Sequence, residues 1–191
     1  GVGIIAYCVH QLPGQIIYGG GFLVLIALIH MWSMRLSRYW WVKEHGIALI
    51  YTVGIWFGPV ILRLNGGDPV DWLSVGPVIG LFGAAVYLNL LMYGLIELDS
   101  DRKDGQGSFV CLIGECQAAS LFNGLAVAAL GLGGVMLVVL NSRVEVVMIM
   151  GVILSQVLIL HRLPKAWIDN DAYRIFAEWS FWIVGCVVWF G

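Results

Sequence analysis

Long uncharged runs alternate with short polar stretches along the whole chain. Ile16 to Met34, Gly46 to Leu62, Leu73 to Ile96, Cys116 to Leu140, Val144 to Leu160 and Ile175 to Gly191 each hold at most one Asp, Glu, Lys or Arg. A helix needs about 20 such residues to cross ~30 Å of hydrocarbon, so each run predicts a membrane span. Pro59 is expected to interrupt the second. Gly1 to His10 is too short to cross alone, and Leu12-Pro13-Gly14 predicts a turn, so the opening is expected to be the tail of a span beginning upstream. The polar stretches between the runs are Arg35 to His45, Arg63 to Asp71, Glu97 to Ser108, Asn141 to Arg143 and His161 to Arg174. The pattern predicts an all-α polytopic transmembrane helix bundle of about six full spans plus the partial one. Residues 1–191 form a single transmembrane domain in this reading, with no soluble domain and no low-complexity linker.

Composition agrees with the pattern. The 191 residues are 60% hydrophobic and 12% charged, with a mean hydropathy of +0.90. A soluble domain carries about twice that charged fraction. Nine Trp and seven Tyr suit aromatic belts at the two interfaces, among them Tyr39, Trp40 and Trp41. Gly19-Gly20-Gly21 suits close helix contact. A net charge of -2 gives no case for nucleic acid. Cys8, Cys111, Cys116 and Cys186 lack the spacing of a zinc site and are read as small apolar residues. His30 is read as an interfacial or helix-bonded histidine rather than a ligand.

Charge sorts the polar stretches into two sets. Arg35–His45, Glu97–Ser108 and His161–Arg174 alternate with the Pro13 turn, Arg63–Asp71 and the Asn141 turn. The first set holds Arg35, Arg38, Lys43, Arg102, Lys103, Arg162, Lys165 and Arg174, eight of the ten basic residues. By the positive-inside rule that side is cytoplasmic.

The chemistry concentrates in one stretch on that side. Glu97, Asp99, Asp101 and Asp104 are four of the chain's 12 carboxylates. If the run before them continues as a helix, Glu97, Asp101 and Asp104 share one face at spacing i, i+4, i+7, while Asp99 points elsewhere. Asn89 and Tyr93 extend the same row into the span. Stacked anions at a helix C-terminus repel one another and the dipole, so they need a counter-charge, for which a hard divalent cation is a candidate. A solvated loop paired with Arg102 and Lys103 is the plain alternative. A calcium loop does not fit, because Gly105 is misplaced for one.

The run Glu97-Leu98-Asp99-Ser100-Asp101-Arg102-Lys103-Asp104-Gly105, then Ser108 and Gly114, resembles the second aspartate-rich motif of the UbiA-type intramembrane prenyltransferases. That motif reads D-x-x-x-D-R-x-x-G-x-x-T/S, with a glycine after a short amphipathic stretch. Glu97 stands where the family usually has Asp. Lys43, just before a span, resembles the family's basic residue at the start of its fifth helix. The family's first motif, N-x-x-x-D-x-x-x-D, has no match in the chain.

The resemblance implies the C-terminal two-thirds of a nine-helix bundle in a bacterial cytoplasmic (inner) membrane, with the acidic motif facing the cytoplasm. It implies transfer of a prenyl group from a prenyl diphosphate to a lipophilic, often aromatic, acceptor. Mg2+ held by carboxylates would neutralise the departing diphosphate. Carried over to this chain, Glu97 and Asp101 are the catalytic metal ligands and Asp104 a further ligand. Lys43 and Arg102 contact the diphosphate, and Asn89 and Tyr93 line the chamber. Two rival readings remain: an inactive UbiA-like lipid-binding or scaffold subunit, and a transporter using the carboxylates as an ion site.

Overall fold

A computed structural model describes residues 12–36, 43–67, 69–105, 107–140, 143–162 and 172–190. The partial opening span, the Tyr39–Trp41 belt, the Asn141-Ser142 turn and residues 163–171 lie outside the described residues. The described residues form helices and turns, with no strand among them. In chain order the helices are α1 (Gly14–Leu36), α2 (Lys43–Asn65), α3 (Trp72–Ile96), α4 (Leu98–Lys103), α5 (Phe109–Ile113), α6 (Glu115–Val139), α7 (Arg143–Arg162) and α8 (Ala172–Phe190).

Five of them, α1, α2, α3, α6 and α7, are long and apolar enough to cross a membrane. The protein is thus an all-helical protein built to be embedded in a bilayer. The sixth predicted span coincides with α8, which has 19 residues.

Helix α3 is the hub. It packs against α2 on one side and against α6 and α7 on others. Its Leu81, Ala85, Leu88, Leu91 and Met92 are fully buried. Phe122 and Ala126 of α6 and Ile149 and Ile153 of α7 close the core around them. Gln156 of α7 is also sealed inside, and its Nε2 donates to the Ala85 carbonyl at 3.1 Å. In hydrocarbon such a polar tie holds two helices in register. Helix α1 packs mainly on α2. Gly19 admits the Phe57 ring there, and Gly46 admits the ring of His30, so close approach at that seam requires glycine.

Two expectations are corrected here. Pro59 does not interrupt α2, which runs unbroken to Asn65. Proline removes one backbone donor, and the surrounding turns carry the helix past it. The acidic stretch is also not a simple continuation of α3. The helix ends at Ile96, Glu97 is the junction, and Leu98–Lys103 forms a separate short helix.

Candidate functional site

The polar stretches meet at one end of the bundle. There the Phe109 N–H, opening α5, donates to Glu44 Oε1 at 3.1 Å, joining the start of α2 to the segment after α3. The start of α8 reaches Glu97 at the same end. Arg63 and Asn65 lie at the far end of α2. The expected clustering of the three polar stretches is met by the residues described from each.

Local sequence sets the geometry. The Glu97 N–H still bonds the Tyr93 carbonyl at 2.8 Å, and the Asp101 N–H bonds the Glu97 carbonyl at 2.8 Å. Glu97 and Asp101 therefore stay one turn apart despite the break. Gly105, with φ 64°, ends the short helix in a conformation that costs other residues energy. Ser108 then caps α5, its Oγ accepting from the Cys111 N–H at 3.2 Å. Val110 of α5 lies where a Cβ at Gly94 would project, 2.7 Å from its Cγ2, so Gly94 lets this segment fold back onto α3.

Among the described residues Glu97 is the most heavily engaged carboxylate. Its Oε1 accepts from the Tyr173 hydroxyl at 2.6 Å, from Arg174 Nη2 at 2.7 Å and from Arg174 Nε at 3.1 Å. Among the described residues its Oε2 accepts no hydrogen bond, and the Glu97 side chain is 26% exposed. Tyr173 is 2% exposed, whereas the Arg174 side chain is 51% exposed. The Tyr173 ring also meets the Tyr93 ring edge-on, with centroids 5.8 Å apart.

The remaining predicted residues divide. Asp101 is partly exposed, while Asp99, Arg102, Lys103 and Asp104 are exposed on α4 or just beyond it. Lys43 opens α2 and is exposed. Asn89 and Tyr93 lie one turn apart inside α3, where the Asn89 side chain lies close enough to act on the Tyr93 hydroxyl, and Asn89 Oδ1 is buried without a hydrogen-bond partner among the described residues. Glu178, one turn beyond Arg174 on α8, lies close enough to act electrostatically on Tyr51 and Tyr93. No three His, Cys, Asp or Glu side chains among the described residues converge as a metal cage. Glu97 and Asp101 lie one turn apart, two carboxylates where a hard cation such as magnesium would also need substrate oxygens and water.

Sequence reasoning missed four participants. Tyr173 and Arg174 were legible only as the end of a polar stretch, although a lone acid at a helix end calls for a cation from somewhere. Glu44 adjoins Lys43 yet is 8% exposed, with Oε2 buried and unpartnered. His45 bonds the Tyr87 hydroxyl at 3.0 Å and packs edge-on against Phe109. Comparison with family models, with curated proteins and with solved structures gives no match.

Proposed function

We propose that the polar end of this bundle binds a prenyl diphosphate together with magnesium, and that the protein is a UbiA-like membrane prenyltransferase. The acceptor would be a lipophilic, aromatic molecule. The observation that carries this reading is the pair of carboxylates Glu97 and Asp101, one turn apart, with Glu97 Oε2 accepting from none of the described residues. Lys43 and Arg102 are exposed cations on neighbouring elements of that end, suited to hold diphosphate oxygens. Asp104 supplies a further carboxylate, and Asn89 and Tyr93 place polar side chains deeper in the bundle. Magnesium bound there would neutralise the charge that develops on a departing diphosphate. In this reading the end faces the cytoplasm, because the basic residues gather there.

The test is magnesium-dependent binding of a prenyl diphosphate to the protein in nanodiscs. Asp101→Asn keeps the size and removes the anion, and should weaken binding about tenfold or more. Asp99→Asn should change it little. Equal losses would mean that the stretch acts as diffuse charge. No magnesium-dependent binding in the wild type would sink the enzyme reading.

A second reading has an observation in its favour. Arg174 and Tyr173 already neutralise Glu97 without a metal. A UbiA-like subunit without turnover, binding lipid or holding a partner, would keep that pairing as a structural tie.

A further inference from the structure

The three donors at Glu97 all converge on one oxygen. A carboxylate oxygen has two lone pairs, so Oε1 is saturated, while Oε2 accepts from none of the described residues. The guanidinium and the phenol approach from the α8 side. The Tyr173 hydroxyl is fixed by a buried ring wedged against Tyr93, and Arg174 Nε also donates to that hydroxyl at 3.2 Å. Rotation of the Glu97 carboxylate is thereby stopped in one orientation.

We propose that Tyr173 and Arg174 are positioning residues that hold Glu97 by Oε1 and so present Oε2 for magnesium. This rests on the magnesium–diphosphate reading above and adds two residues from a helix that the acidic motif does not include. Two effects oppose each other here. A neighbouring arginine repels a divalent cation, and a fixed ligand binds it better than a rotating one. Geometry favours the second, because both arginine nitrogens lie on the oxygen that the ion does not use. Glu97 is also one methylene longer than Asp, and the added torsion makes an external clasp more valuable.

The experiment measures the magnesium concentration that half-saturates binding of farnesyl diphosphate to the full chain in nanodiscs. Melting temperature is recorded alongside. Tyr173→Phe keeps the ring and its packing and removes only the hydroxyl, both as donor to Glu97 and as acceptor from Arg174. Arg174→Gln removes the charge and the fork, and Arg174→Lys restores the charge alone. We expect Tyr173→Phe and Arg174→Gln each to raise the half-saturating magnesium about tenfold, with saturated binding of the diphosphate kept and partial rescue by Arg174→Lys. A purely structural tie would lower the melting temperature and leave the magnesium requirement unchanged. That result overturns the clasp while the function reading stands. A lower magnesium requirement in Arg174→Gln also overturns it, since Arg174 would then be a competitor of the ion. If the wild type binds no farnesyl diphosphate in a magnesium-dependent way, both proposals fall together. Tyr173→Phe is close to isosteric and folds in the same packing, so a misfolded Arg174 variant does not remove the test.

Discussion

Helices α1 and α3 have the same mean hydropathy of 1.8 over their apolar windows, yet none of the α1 window is buried and 39% of the α3 window is. Hydropathy selects both for the bilayer and says nothing about which one the protein is built around. The difference lies in what each presents to protein neighbours. Along α3, Leu81, Ala85, Leu88 and Met92 recur at helical spacing against α6 and α7, and Gly94 receives Val110. Along α1, Gly20 and Gly21 have nothing within 4 Å, and Phe22, Leu25, Leu28 and Ile29 stand exposed. In lipid, helices gain little from hiding apolar surface from each other. Packing decides which of two equally greasy helices becomes core.

The sharpest way to break this contrast is truncation of leucine. Leu88 is fully buried and Leu25 is 52% exposed. Leu88→Ala leaves a cavity and should cost about 2 kcal/mol, below the usual range in water because transfer to lipid recovers part of the loss. Leu25→Ala should change stability by less than about 0.5 kcal/mol. Reversible unfolding in mixed detergent micelles measures both. Equal costs would mean that α1 is covered in the native assembly.

A smaller contrast comes from glycine. Gly94→Ala would press on the stiff Val110 side chain 2.7 Å away, for a net loss of about 1 kcal/mol after the gain in helix propensity. Gly21→Ala meets open space and should be neutral or stabilising by about 0.5 kcal/mol. Thermal melting of the two variants side by side decides it.

The smallest effect distinguishes how the two helices begin. At α3 the Asp71 carboxylate accepts from the Ser74 hydroxyl at 2.6 Å and from the Leu73 N–H at 3.2 Å. At α1 the Pro13 carbonyl accepts from the Ile16 N–H at 2.8 Å. The Ser74 hydrogen bond, followed by those from the backbone, holds the Asp71 carboxyl below its usual range. A lowered folded value means that the cap stabilises above the unfolded pKa and that this is lost as pH falls through the folded one. Asp71→Ala should therefore lower the melting temperature slightly at pH 7 and by less at pH 3. A penalty that grew on acidification would contradict the cap.

Much of the fold was legible. Predicted ends such as Leu73 and Ile96, or Cys116 and Leu140, lie within one residue of the helices Trp72–Ile96 and Glu115–Val139, because charge and turn residues punctuate a chain this apolar. Pro59 misled, since lipid leaves a helix no alternative to remaining a helix. The candidate site was half legible. Glu97 and Asp101 share a turn as their spacing required, but Glu97 sits at a break that no residue announces. Its partners come from 76 and 77 positions later in the chain. Glu44 was hidden for the same reason, since only the fold brings the Phe109 N–H to it.

That last pairing sets a clock. Glu44 waits for a donor 65 positions downstream, and at about 5–20 residues per second the ribosome takes roughly 3–13 s to make it. Glu97 then waits 76 positions for Tyr173, so its carboxylate stays bare for a similar interval after the core helices have been inserted. Nascent chains stalled before residue 173 would carry that negative charge unmatched by its native partners, and α8 would close the polar end in a single late step.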